Sequence, residues 1–316
     1  MDSGIDRVED DLLKSVRPKQ PRKDDSLAVI LRRCTRCVRS LRILVALLCM
    51  APSVVGAEDT AQASIEVLPS GELFEPLVAD PSWPRFSAEH QWRFGTDEFD
   101  SVAQVGFGET IALIRSAEEP WGRWEFGFQA MLDAVFDLTA SSFDLSNEDY
   151  FVAFLGTIEA GGVVTQLRFS HLSSHLGDEY VAETGRLRDS VSFETIDMLV
   201  SKQWTEAVRV YGGVGVLITP QPAFDPLIFQ LGGEWVSPVA FAEGWLRPVL
   251  GVDVQVRQEN DFVPDVAALL ALRIENEEEG HRRIEFFTRF YHGRSPDGQF
   301  FRQTVDTLGV GIRLGF

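Results

Sequence analysis

The stretch Leu308-Gly-Val-Gly-Ile-Arg-Leu-Gly-Phe316 decides how the rest of the chain is read. Leu308, Val310, Ile312, Leu314 and Phe316 are apolar, and Gly309, Gly311, Arg313 and Gly315 stand between them. A period of two places these sets on opposite faces of an extended strand. The same alternation continues upstream. Leu246, Leu250, Val252, Val254 and Val256 alternate with Arg247, Asp253, Gln255 and Arg257. Ile284, Phe286, Thr288 and Phe290 alternate with Arg283, Glu285 and Arg289, although Phe287 and Tyr291 intrude on the polar side. Further runs fall near 88–95, 102–115, 124–136, 149–158, 163–175, 191–203, 207–217, 227–235 and 266–274. Breakers such as Ala160-Gly-Gly162, Gln258-Glu-Asn-Asp261, Glu277-Glu-Glu-Gly280 and Ser295-Pro-Asp-Gly298 separate them. The pattern predicts about 12 antiparallel strands over residues 85–316 and no helix in this body. Several runs have the ~10 residues that a tilted strand needs to cross a bilayer.

Alternation alone does not say which face is enclosed, and a soluble sandwich or lipocalin-like barrel would alternate too. Three observations favour an all-β transmembrane barrel. One face of each strand is rich in Leu, Val, Ile and Phe, while the other carries Arg, Asp, Glu, Gln and Gly. Trp92, Trp121, Trp124, Trp204, Trp235 and Trp245 fall near strand ends, where interfacial girdles sit. The terminal Phe316, closing an alternating strand, resembles the signal read by the barrel assembly machinery of outer membranes. That machinery and outer-membrane lipid are the partners expected.

The N-terminal part reads differently. Arg32, Arg33, Arg36, Arg39 and Arg42 precede the apolar run Ile43–Met50, and Val55-Gly-Ala57 offers small or compact residues at a cleavage site. This is the pattern of an export signal, too short for a transmembrane helix. Residues 1–57 are therefore expected to be an extension plus a cleaved signal peptide. The polar residues 1–31 ahead of that signal suggest a true start further downstream. Residues 58–84 carry Pro69, Pro76, Pro81 and Pro84 and are expected to form an extended periplasmic segment before the barrel.

Charge is split between the same parts. Residues 1–57 hold 11 basic and 7 acidic residues, and the remainder holds 18 basic and 41 acidic ones. So acidic a body is a poor match for phosphate, and nucleic acid is excluded as a partner. Cys34, Cys37 and Cys49 all lie before residue 58, which leaves the body without disulfides or thiolate ligands. The Cys34-Thr-Arg-Cys37 spacing lacks a redox-fold context, and a bulky Leu48 argues against lipidation of Cys49. His90, His281 and His292 have no partner at metal spacing, so no metal or cofactor is expected.

Three stretches carry a family resemblance: Leu73–Phe86, Val105–Arg115 and Tyr291–Phe301. Together they resemble the domain-of-unknown-function 1207 family of bacterial exported barrel proteins, over roughly residues 73–316. The resemblance implies an outer-membrane barrel and brings no assigned chemistry.

The candidate site comes from Leu167-Arg-Phe-Ser-His-Leu-Ser-Ser-His175. His171, Ser173 and His175 share one strand face with Leu167 and Phe169, the face assigned to lipid. A serine nucleophile needs an imidazole to take its proton and an acid or amide to orient that imidazole. The lipid-facing His171-x-Ser173 pair is similar to that of outer-membrane phospholipase A and lipid A deacylase, which use such a pair against acyl chains. Ser174 stands where those enzymes often have asparagine. Glu194, on the next strand, is the expected orienting acid. No oxyanion donor is assignable. Two passive readings stand beside this one. Arg168, Arg247, Arg257, Arg273, Arg283, Arg289 and Arg313, with Asp253, Glu275 and Glu285, could line a narrow channel or cross-pair and plug it. Acidic outer loops could instead serve a scaffold or adhesin. Oligomeric state is not legible.

Overall fold

A computed structural model describes residues 65–96, 98–117, 120–242, 245–275 and 283–315. The expected export signal, the three cysteines, His281 and Phe316 lie outside these residues. Strands are labelled in chain order. A short β1 (Ile65–Val67) precedes twelve wall strands: β2 (Phe86–Phe94), β3 (Ser101–Ser116), β4 (Arg123–Asp137), β5 (Leu145–Ala160), β6 (Val163–Leu176) and β7 (Val191–Gln203), then β8 (Val208–Gln221), β9 (Leu227–Val236), β10 (Leu246–Arg257), β11 (Pro264–Glu275), β12 (Arg283–Arg294) and β13 (Thr304–Gly315). Each pairs antiparallel with its neighbours, and β13 closes onto β2 through Leu314↔Phe86 to Asp306↔Phe94. The result is a closed 12-stranded barrel, so the wall has no open edge to aggregate. The one α-helix among the described residues, α1 (Asp178–Thr184), lies in the β6–β7 loop, where the sequence had suggested none. Its seven residues are too few to set up a readable helical period.

The pleat sorts the wall into two solvents. Phe107, Phe154, Leu167, Leu231, Leu250, Leu270, Phe286 and Phe290 face out and are exposed. Glu89, Gln104, Gln129, Asp197, Glu234, Asp253, Glu285 and Arg289 face in and are buried. Leaving a large apolar side chain in water costs about 1.5–3 kcal/mol. A belt repeated on every strand is therefore matched to hydrocarbon. Trp121, Trp204 and Trp245 are exposed around the end with the short turns, and Trp92 lies toward the other end. Inside, opposite charges meet across the strands: Arg168 with Asp197 at 3.0 Å, Arg209 with Glu234 at 2.6 Å, and Arg289 with Glu89.

The largest departure from the sequence reading lies within the segment 58–84, expected to be an extended periplasmic stretch ahead of the barrel: its residues from Phe74 onward, with Arg85, lie in the lumen. After β1 pairs with the far end of β3, the chain turns at Leu68 and Gly71, both with positive φ, and enters the barrel. Phe74, Leu77 and Trp83 pack on Leu199 and Tyr211, and Val78 and Ala79 pack on Val249, Leu269, Ala271 and Phe287. This explains why Phe287 breaks the polar side of β12: it faces the plug. Gly251 leaves room for the plug, because a Cβ there would stand 3.1 Å from that of Ala79.

A buried segment with no regular structure must still satisfy its backbone polar groups. Wall and plug side chains do this. Arg85 donates to the carbonyls of Leu77 (2.8 Å), Val78 (3.2 Å), Asp80 (2.8 Å) and Trp83 (3.0 Å). Arg209 donates to Glu75 and Pro76 carbonyls at 2.8 and 2.7 Å, and Arg313 to that of Val78 at 2.7 Å. Glu234 accepts the Val78 N–H at 2.5 Å. Pro76, Pro81 and Pro84 have no N–H to satisfy.

Candidate functional site

On the outer wall, antiparallel register sets His171 of β6 directly opposite Glu194 of β7. His171 Nδ1 lies 3.1 Å from Glu194 Oε1, and Thr219 of β8 donates its hydroxyl to Glu194 Oε2. The acid thus bonds the ring nitrogen that an orienting acid must hold, leaving Nε2 for a hydroxyl. Ser173 stands two residues along the same face, half-buried, but no hydrogen bond joins it to His171. Two strand rises separate the pair by about 7 Å between Cα atoms. His175 stacks edge-on against Tyr150 with centroids 5.8 Å apart. Ser174 faces the other way, buried in the lumen, where its hydroxyl donates to Asn147 Oδ1 at 3.2 Å. Of the expected site, then, the imidazole and acid are joined and the serine is adjacent but unengaged.

Two other outer-wall histidines, which have no partner at metal spacing in the sequence, have hydrogen-bond partners across the wall. His292 Nδ1 lies 2.5 Å from Asp306 across the β12–β13 ladder. His90 sits within β2, 2.9 Å from the Ser101 hydroxyl and stacked on Trp92. Only register reveals these contacts, because the partners are 14 and 11 residues away in sequence. Among the described residues no cluster of three metal-ligating side chains occurs.

The lumen holds the other constellation. The β12–β13 loop folds over the long-loop end: Asp297 pairs with Arg93 at 2.6 Å, and Gly298 N–H donates to Asp149 at 2.9 Å. Gln299 is buried between Asn147, Ser174 and Asp189, and Phe300 packs on Phe99 and Tyr180. Two of the three stretches that carry the family resemblance are thus the lumen plug and this loop. Over residues 47–316 the chain matches the family model described as protein of unknown function (DUF1207).

The chain belongs to that family. Within it, the stretch at 73–86 gains a physical meaning as the segment that fills the barrel. No curated protein matches the chain. Among solved structures, it is similar to outer membrane phospholipase A from Escherichia coli, with 11% identity and a TM-score of 0.52 over 77% of this chain and 94% of that one. The calcium-bound dimer of the Salmonella typhi outer membrane phospholipase gives 12% identity and a TM-score of 0.53, covering 75% and 93%. At such identity the likeness concerns the fold: this DUF1207 member shares the barrel of those enzymes.

Proposed function

We propose that the protein resides in the outer membrane, exported by its N-terminal signal and inserted by the barrel assembly machinery, as a barrel closed to passive flow. The observation that carries this is the plug: residues 73–85 cross the lumen and bond to wall side chains from β8, β9 and β13. A narrow water-filled channel is the weaker reading, because Arg168, Arg209, Arg289 and Arg313 are held by carboxylates and Arg209 and Arg313 also by plug carbonyls. Planar-bilayer recordings test it. The intact protein is expected to give no stepwise conductance, and regular porin-sized steps would contradict the proposal.

A second reading, acyl-ester hydrolysis at the outer wall, is favoured by the His171–Glu194 contact. In it, the Ser173 hydroxyl attacks a lipid ester carbonyl while His171 Nε2 takes its proton. Glu194 holds Nδ1–H and stabilises the imidazolium. The proton then passes to the departing alcohol, and water releases the acyl group from Ser173. The missing Ser173–His171 bond would form with substrate present, since such bonds tighten in the bound complex. Purified protein is expected to cleave a phospholipid ester in mixed micelles, and Ser173→Ala to lose that activity by about a hundredfold or more. Equal rates in the variant, or an inactive wild type, would end this reading.

A further inference from the structure

Most of the lumen is filled, but a cavity of about 500 Å³ remains between the plug and the long-loop end, against β6 to β10. That volume lies in the range of small-molecule sites. Asp80 and Ser82 of the plug form its floor, and loop residues Phe224, Pro296 and Phe301 border its mouth. The space exists because two successive inward positions of β8 are Gly213 and Gly215, which put no side chain into it.

Its lining is divided into two parts. One part is apolar: Leu172, Phe193, Leu217, Phe224, Ile228 and Phe301. The rings of Phe193, Phe224 and Phe301 meet edge to face, with centroids 6.2 and 4.8 Å apart. Apolar side chains facing an aqueous lumen gain nothing from their place unless something covers them.

The other part is cationic, with two arginines that form no ion pair, although the Asp265 carboxylate is near enough to interact with both. Arg257 donates only to Gln255 Oε1, at 3.0 Å, and its buried Nε has no partner. The Arg294 guanidinium donates to Asn260 Oδ1 at 2.8 Å and to the Arg302 carbonyl. Asp265, on the neighbouring strand, accepts the backbone N–H of Arg294 rather than a guanidinium. The acids of the lining are engaged or peripheral. Asp197 is paired with Arg168, and Asp80 accepts from Ser82, Gln230 and Gln255. Asp225 and Glu259 are exposed at the rim. The remaining arginine, Arg302, is paired with Asp189 at 2.8 Å.

We infer that this vestibule binds an amphipathic anion, with its oxyanion head against Arg257 and Arg294 and its apolar body against the phenylalanine-lined side. A guanidinium fork suits carboxylate or phosphate oxygens, and an unpartnered buried N–H gains the most from such an acceptor. This site is separate from the outer wall and faces the enclosed side of β6 and β7.

The test uses full-length protein held in amphipol, titrated with octanoate by calorimetry, with acetate and octanol as probes lacking the tail and the charge. Octanoate is expected to bind saturably at one site, and the two controls about tenfold more weakly or less. Arg257→Gln is expected to weaken octanoate by about tenfold, from the loss of a charge-assisted bond, with Arg257→Lys recovering part of it. Leu172→Trp, which fills the cavity and keeps the charge, is expected to abolish saturable binding. Heat-modified gel mobility would establish that each variant is folded. Unsaturable uptake, octanol binding as tightly as octanoate, or an unchanged affinity in folded Arg257→Gln would overturn the inference.

Discussion

At the scale of single residues, the lumen is organised by shared carboxylates. Glu285 accepts from Arg273 at 2.6 Å and from Arg313, and Arg313 also holds the Val78 carbonyl of the plug. Removing one member of a buried ion group leaves the others uncompensated, at a cost of about 3–5 kcal/mol. Glu285→Ala is expected to lose stability of that order in urea-induced unfolding from vesicles, and a change within about 0.5 kcal/mol would contradict it. The sequence placed Arg273, Arg313 and Glu285 on the inward face, because that follows from a period of two. It did not show who pairs with whom, since Arg313 and Glu285 meet only through β12–β13 register. Glu194 was named for His171 on chemical grounds, because an imidazole facing a serine calls for an acid on the following strand, and the register sets the two opposite. Whether Ser173 engages His171 depends on rotamers, which no pattern records.

At the scale of elements, the twelve wall strands match the twelve predicted runs within a few residues, because alternation is a strong local signal. The plug was not legible. Its apolar residues Phe74, Leu77, Val78 and Trp83 follow neither period, and its prolines suit any extended chain. The hint lay elsewhere, in Phe287 and Tyr291 breaking the polar face of β12. Phe287 packs on the plug, whereas Tyr291 packs on Ala267 and Val305. The plug also carries a titratable carboxyl. Burial pushes the Glu72 carboxyl up to about 7, with Glu109 and Glu125 adding to the rise and Arg283 opposing it. A folded pKa above the unfolded one means stability that is full below about pH 4.5 and is lost as pH rises through 7. Hydrogen exchange of residues 70–78, corrected for intrinsic rates, is expected to quicken between about pH 5 and 7. Glu72→Gln should remove that step. A pH-independent wild type would contradict the assignment.

At the scale of the molecule, one sorting rule produces the whole architecture. Apolar side chains line the outside, polar ones the inside, and the N-terminal segment consumes much of the polar interior. The barrel is therefore a membrane body with two chemically distinct faces: an outer wall carrying His171, Ser173 and Glu194, and a vestibule carrying Arg257 and Arg294. Both functional readings fail if the sorting is reversed. Single spin labels at consecutive positions 268–272 of β11, in protein with Cys34, Cys37 and Cys49 replaced by serine and reconstituted in lipid, measure it directly. Labels at 268, 270 and 272 should be relaxed by oxygen dissolved in the bilayer, and labels at 269 and 271 should be shielded from it. Uniform accessibility along the strand, or water-soluble nickel reaching position 270, would contradict the account.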